Sequence, residues 1–134
     1  MIEDVLIATQ DRLLELIPEN IAYVSEDWGQ LDYYNERPPV NFPCVLFDIE
    51  EAQFSDLTHK VQRGDAILTL RVAHFDPVNI SALAPNREKQ FRMFALLRMI
   101  YTRLQGLSGE SFSGLTRISL RRAKREDAIR EYIM

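Results

Sequence analysis

Phe42-Pro43-Cys44-Val45-Leu46-Phe47-Asp48-Ile49-Glu50-Glu51 decides how this 134-residue sequence folds. It opens as an unbroken apolar run and closes in alternation. A strand covered on both faces reads as continuous hydrophobics, and one with a wet face alternates with period two. The stretch therefore predicts a strand whose first half is buried on both sides. Downstream, Ala66–Phe75 alternates cleanly: Leu68, Leu70 and Val72 on one face, Ile67, Thr69 and Arg71 on the other. Between them, residues 52–65 are largely polar and hold Arg63-Gly64-Asp65, a turn signal. The two strands read as an antiparallel hairpin with a long tip.

Working outward, residues 2–17 place Ile2, Val5, Leu6, Leu13, Leu16 and Ile17 on one helical stripe. Glu3 and Asp4 suit the positive end of that helix, and Pro18 ends it by lacking an amide hydrogen. A short strand is expected at Ile21–Ser25, then a polar loop over 26–39 that carries the sole tryptophan, Trp28. Trp28 either folds back over the core edge or anchors an interface, since Trp is enriched at binding hot spots. After Asp76-Pro77, a second helix is expected, capped by Asn86 and ended by Gly106, with Met93, Leu97, Ile100 and Leu104 as its apolar stripe. Leu115–Arg122 and Ala128–Met134 then read as a closing hairpin around the charged turn Lys124-Arg125-Glu126-Asp127.

These elements give an α+β fold in a single domain spanning 1–134. Its expected form is a mainly antiparallel five-stranded sheet with two helices on one face, in the order α-β-β-β-α-β-β. The composition, 46% hydrophobic and 27% charged, is that of a globular chain able to form a core without staples. The single cysteine, Cys44, excludes an intrachain disulfide and is expected to be a buried small hydrophobe. The acidic start Met1-Ile2-Glu3-Asp4 does not resemble a secretory signal, and no apolar run approaches a membrane span, so no membrane partner is expected.

Charge is divided along the chain. Residues 1–60 hold three basic and thirteen acidic side chains, net −10; residues 61–134 hold thirteen basic and seven acidic, net +6. Such a split suits either a nucleic-acid-facing half or two surfaces that attract each other between copies.

Catalytic signatures are missing. His59 and His74 have no partner at metal-ligand spacing, no phosphate-binding glycine loop can be written, and no nucleophile elbow or Cys–His pair is present. No catalytic residue, metal site or cofactor is expected. Asp48, Glu50 and Glu51 could hold magnesium in a hydrolase, but no lysine accompanies them and a regular strand would turn Glu50 and Glu51 to opposite faces. Arg117, Arg121, Arg122, Lys124 and Arg125 could meet phosphates in a nucleic-acid-binding module, though without an interleaved aromatic row.

With this layout the sequence resembles the small tail-completion or tail-terminator proteins of tailed bacteriophages and prophages. The likeness rests on the helix at Ile2–Ile17, the run from Arg37-Pro38 to Phe42-Pro43 leading into a central strand, and the strand at Ala66–Phe75. It extends through the helix at Arg87–Gln105 and the Arg-Ile-Ser core at Arg117–Ser119. The resemblance implies a mixed sheet with helices on one face and a hexameric ring that caps the tail tube and joins it to the head. Implied partners are further copies of the chain, tail-tube proteins and head–tail connector proteins, in the bacterial cytoplasm and in the virion or tail-like particle. A neck or connector protein is the neighbouring alternative. For assembly, the expected interface residues are Trp28 as anchor, Asp48, Glu50 and Glu51 on the acidic side, and Arg117, Arg121, Arg122 and Arg125 on the basic side.

Overall fold

A computed structural model of the protein describes residues 2–34, 38–59, 62–75, 92–109, 112–123 and 129–134. Along the chain run α1 (Ile2–Leu14), β1 (Tyr23–Glu26), β2 (Cys44–Asp56), β3 (Gln62–Phe75), α2 (Arg92–Leu104), β4 (Arg121–Ala123) and β5 (Ile129–Ile133). The class is α+β, built on one five-stranded sheet in the spatial order β1-β2-β3-β5-β4.

The sheet departs from the mainly antiparallel one expected: it is mixed, and its strands do not follow chain order. β1 pairs parallel to β2, with Tyr23 opposite Cys44 and Glu26 opposite Phe47. Two parallel neighbours need a crossing connection rather than a tight turn. Residues 27–43 supply it, and its described parts are not all solvated loop. Leu31 and Val40 are buried with Cys44, Leu46 and Ala73 in a second small core, flanked by Tyr23, Tyr34 and Phe42. At the other side β5 slots between β3 and β4, pairing antiparallel with both.

The sheet is thus covered on both faces near its base. Val45, Phe47, Leu70, Val72 and Tyr132 meet Leu13 of α1 and Met93, Leu96, Leu97, Ile100 and Leu104 of α2 in the main core. Burial of Val5, Thr9 and Leu13 in steps of four confirms one inward stripe on α1. That helix stops at Leu14, three residues before the expected end, and the chain turns through backbone bonds from Leu16 to Leu13 and from Ile17 to Leu14. At the end of α2, Gly106 takes a left-handed φ of 81°, the conformation that closes a helix, and its N–H donates to Leu115. The expected cap Asn86 and the turn at 124–127 lie outside the described residues.

Two hairpins differ from expectation. β2 and β3 stay paired far beyond the assigned tip, as far as Asp56 opposite Gln62. Conversely, of the Leu115–Arg122 strand only Arg121 and Arg122 are paired, with Ala123 just beyond, and Ile118 and Leu120 lie exposed on irregular chain. The reason is one of partners: the long hairpin supplies both of its own edges, whereas residues 115–120 have no strand opposite them among the described residues.

The two-sided core makes a sharp prediction. Ile100→Ala, at a fully buried position, is expected to cost about 2–5 kcal/mol in urea unfolding. Ile7→Ala, on the exposed side of α1, should stay within about 0.5 kcal/mol of the parent chain. Equal effects would contradict the packing.

Candidate self-assembly interface

The loop after β1 is fixed bond by bond. Asp27 N–H donates to Phe47 O, carrying the parallel ladder one step past β1. The Asp27 carboxylate accepts from Gly29 N–H at 3.0 Å, and the Gln30 amide accepts from Trp28 N–H at 2.8 Å while donating to Glu26 O. Gly29 sits at φ 97°, where a side chain would be strained, and its carbonyl accepts from Asp32 and Tyr33. Gln30 and Leu31 are fully buried beneath the turn. What the turn presents outward is Trp28, 63% exposed, and Tyr33. Trp28 does not fold back over the core.

Arg71 anchors the same loop from the sheet. Its Nη1 and Nη2 donate to the two Asp32 carboxylate oxygens at 2.7 and 2.8 Å, and Nη1 also reaches Asp27 at 3.3 Å. On its other side Nε and Nη2 each donate at 3.0 Å to Glu131 of β5, whose side chain is only 2% exposed. One guanidinium, with two forked contacts, therefore ties the loop, β3 and β5 together. The bond with Asp32 raises the already high pKa of Arg71; burial opposes this, and Glu131 reinforces it. A raised pKa gives stability that is present below the unfolded value and lost only as pH climbs through the folded one. Arg71 therefore keeps its charge, and this contribution, across the whole neutral range.

The acidic candidates come together on one side. Asp48 pairs with Thr69, on the face that carries Arg71. The register slips between Ile49 and Glu51, leaving Glu50 as the extra residue of a bulge, and Glu50 accepts from the Thr69 hydroxyl at 2.9 Å. Glu51 then lies opposite Ile67. A regular strand would have split Glu50 from Glu51; the bulge instead keeps all three carboxylates toward the face opposite the helices. Among the described residues no group of three His, Cys, Asp or Glu is placed to hold a metal ion.

The basic candidates lie at the far edge of the sheet but do not form one flat patch. Arg121 and Arg122 of the outermost strand pair with Ile133 and Tyr132, so they point to opposite faces, both exposed. Arg117 sits on the helix side, its guanidinium 4.2 Å from the centre of the Tyr101 ring, with its N–H bound to Gln105. Arg125 lies outside the described residues.

Part of the charge division along the sequence is satisfied within the chain. Arg71 and Arg103, from the basic half, pair with Asp27 and Asp32 and with Glu15 of the acidic half. Sequence reasoning missed Arg71, which it placed on the polar face without a partner. The available signal was an arginine in a strand whose neighbours Val72 and Ala73 are apolar.

No family model matches the sequence, and no curated protein matches it. Among the described residues no helix is long and apolar enough to cross a membrane.

Arg71→Met is expected to destabilise the chain by about 3 kcal/mol at pH 7, because three carboxylates lose a shared cation. Urea unfolding checks this, and a variant within about 0.5 kcal/mol of the parent chain would contradict it.

Proposed function

We propose that the protein is a structural assembly protein that joins copies of itself head to tail into a ring, in the manner of a phage or prophage tail terminator. The observation that carries this reading is the placement of two unlike surfaces on one sheet, an acidic one on the face opposite the helices and a basic one at the β4 edge. The acidic, aromatic surface, with Trp28, Asp48, Glu50 and Glu51, belongs to β1, β2 and the loop between them. The basic edge, with Arg117 and Arg122 on the helix side and Arg121 on the other, belongs to β4 and the segment that leads to it. β1 and β4 are the two outermost strands. At about 4.8 Å per strand step the edges stand roughly 20 Å apart.

Two different patches on one chain make a heterologous contact, which repeats from copy to copy and closes into a ring when its rotation permits. Opposite charge on the two surfaces steers encounter and fixes register. Trp28 supplies the anchor, and its loop is already held in place by hydrogen bonds, so little ordering entropy is lost when it docks. The ring would cap a tail tube and meet head–tail connector proteins, with no cofactor and no catalytic step.

Trp28→Ala is expected to weaken self-association at least about tenfold while leaving the unfolding midpoint unchanged, since the side chain is exposed in the single chain. Light scattering over a dilution series measures it. Association should also weaken as salt is raised from 50 to 500 mM. A parent chain that stays monomeric throughout would overturn the proposal.

A further inference from the structure

β3 is paired along one edge and along only part of the other. On the β2 side its partners run without a break from Gln62 to Ala73. On the far side β5 pairs with Arg71–Phe75. Met134 adds one step, its N–H donating to Leu70 O and its carbonyl accepting from Leu70 N–H. Backbone groups alternate in direction along a strand, so Leu68, Ala66 and Gly64 aim their N–H and C=O the same way as Leu70. Among the described residues no strand lies there to meet them. Backbone donors and acceptors are either paired or left to water, and these three residues form an open strand edge.

The space that this edge faces is one strand wide. Ile133 of β5 pairs with Arg71 on one side and Arg121 on the other, so β3 and β4 stand two strand steps, roughly 10 Å, apart. Past Met134 the gap continues as a groove of about 690 Å³, bordered by β3 from Arg63 to Leu70 and by residues 112–119. The second border also has a strand pattern without a strand partner: Ile118 and Leu120 alternate with Arg117 and Ser119 on irregular chain. Leu68, Ile100 and Leu104 line the groove on its helix side. Its charges are mixed and partly spent, since Arg63 lies 3.8 Å from Asp65 and Glu50 accepts from the Thr69 hydroxyl. Backbone pairing and apolar cover, rather than charge, are what the groove offers.

We propose that this slot is a docking site for an extended strand of another polypeptide, entering between β3 and residues 115–120, antiparallel to β3 and in line with β5. Chemistry selects the occupant. An extended peptide presents donors and acceptors at the two-residue spacing of Leu68, Ala66 and Gly64, and apolar side chains at every second position cover Leu68, Ile100 and Leu104. Length is set as well: from Gly64 to Thr69 the open edge runs six residues, about 20 Å. The site is independent of the head-to-tail reading.

Amide hydrogen exchange tests the slot. The probe is a peptide of alternating Thr and Val with Glu at each end. It is used free at about 1 mM and, separately, appended after Met134, where linkage supplies a comparable local concentration. In both forms the amides of Leu68, Ala66 and Gly64 should exchange at least about fivefold slower than in the parent chain. Ile67, whose N–H faces β2, should stay unchanged. Proline in place of each Val should abolish the slowing. No slowing in either form would overturn the site, and slowing in the appended form alone would overturn docking of a separate chain. Both of those results leave the head-to-tail reading standing.

Discussion

Arg71 holds the molecule to one arrangement. Its partners come from segments far apart in sequence: Asp32 lies 39 residues before it and Glu131 lies 60 after. A buried carboxylate such as Glu131 is tolerable only with a cation and its hydrogen bonds, so β5 must dock where Arg71 waits. The loop after β1 must in turn fold across the sheet to bring Asp27 and Asp32 to the same guanidinium. Once that loop is down, Gln30 and Leu31 are buried and Trp28 has nowhere to go but outward. Presentation of the proposed anchor is thus a consequence of the interaction that locks the sheet.

The sheet gives that anchor a direction. Had β1 returned as a hairpin, the acidic loop would have stayed at a sheet edge. The parallel crossing instead lays it over the face opposite the helices, alongside the three carboxylates of β2. Insertion of β5 between β3 and β4 pushes the arginines of β4 to the opposite margin. The charge division along the sequence therefore has two outcomes. Arg71 and Arg103 use some of it to hold the chain together, and the remainder is separated across the width of one sheet. We read that separation as a head and a tail.

Much of the fold was legible because periodicity and burial are local properties. The continuous run Cys44–Phe47 is buried on both sides, as its pattern demanded, and the alternation at Leu68, Leu70 and Val72 gave the correct face. The α2 stripe was equally plain. What escaped was set by pairing at long range. Residues 26–39 looked like a solvated loop because polar residues outnumber Leu31 there, yet with Val40 just beyond them those apolar side chains mark a covered face. Glu50 and Glu51 were expected to part, and a bulge, which no single strand announces, kept them together. Arg71 looked like an ordinary exposed residue on a wet face; its role needed Glu131, which arrives from the end of the chain.

The central claim is that the acidic sheet face and the basic β4 edge are unlike surfaces that recognise each other. Mixing two variants, each damaged at one surface, tests it most directly: Trp28→Ala at the loop, and Arg121→Glu with Arg122→Glu at β4. Sedimentation of each variant alone should show a single chain of 15.6 kDa. The mixture, in which one intact acidic surface meets one intact basic surface, should stop at a one-to-one dimer of about 31 kDa. Variants that stay apart when mixed, or that assemble as well as the parent when alone, would contradict the account.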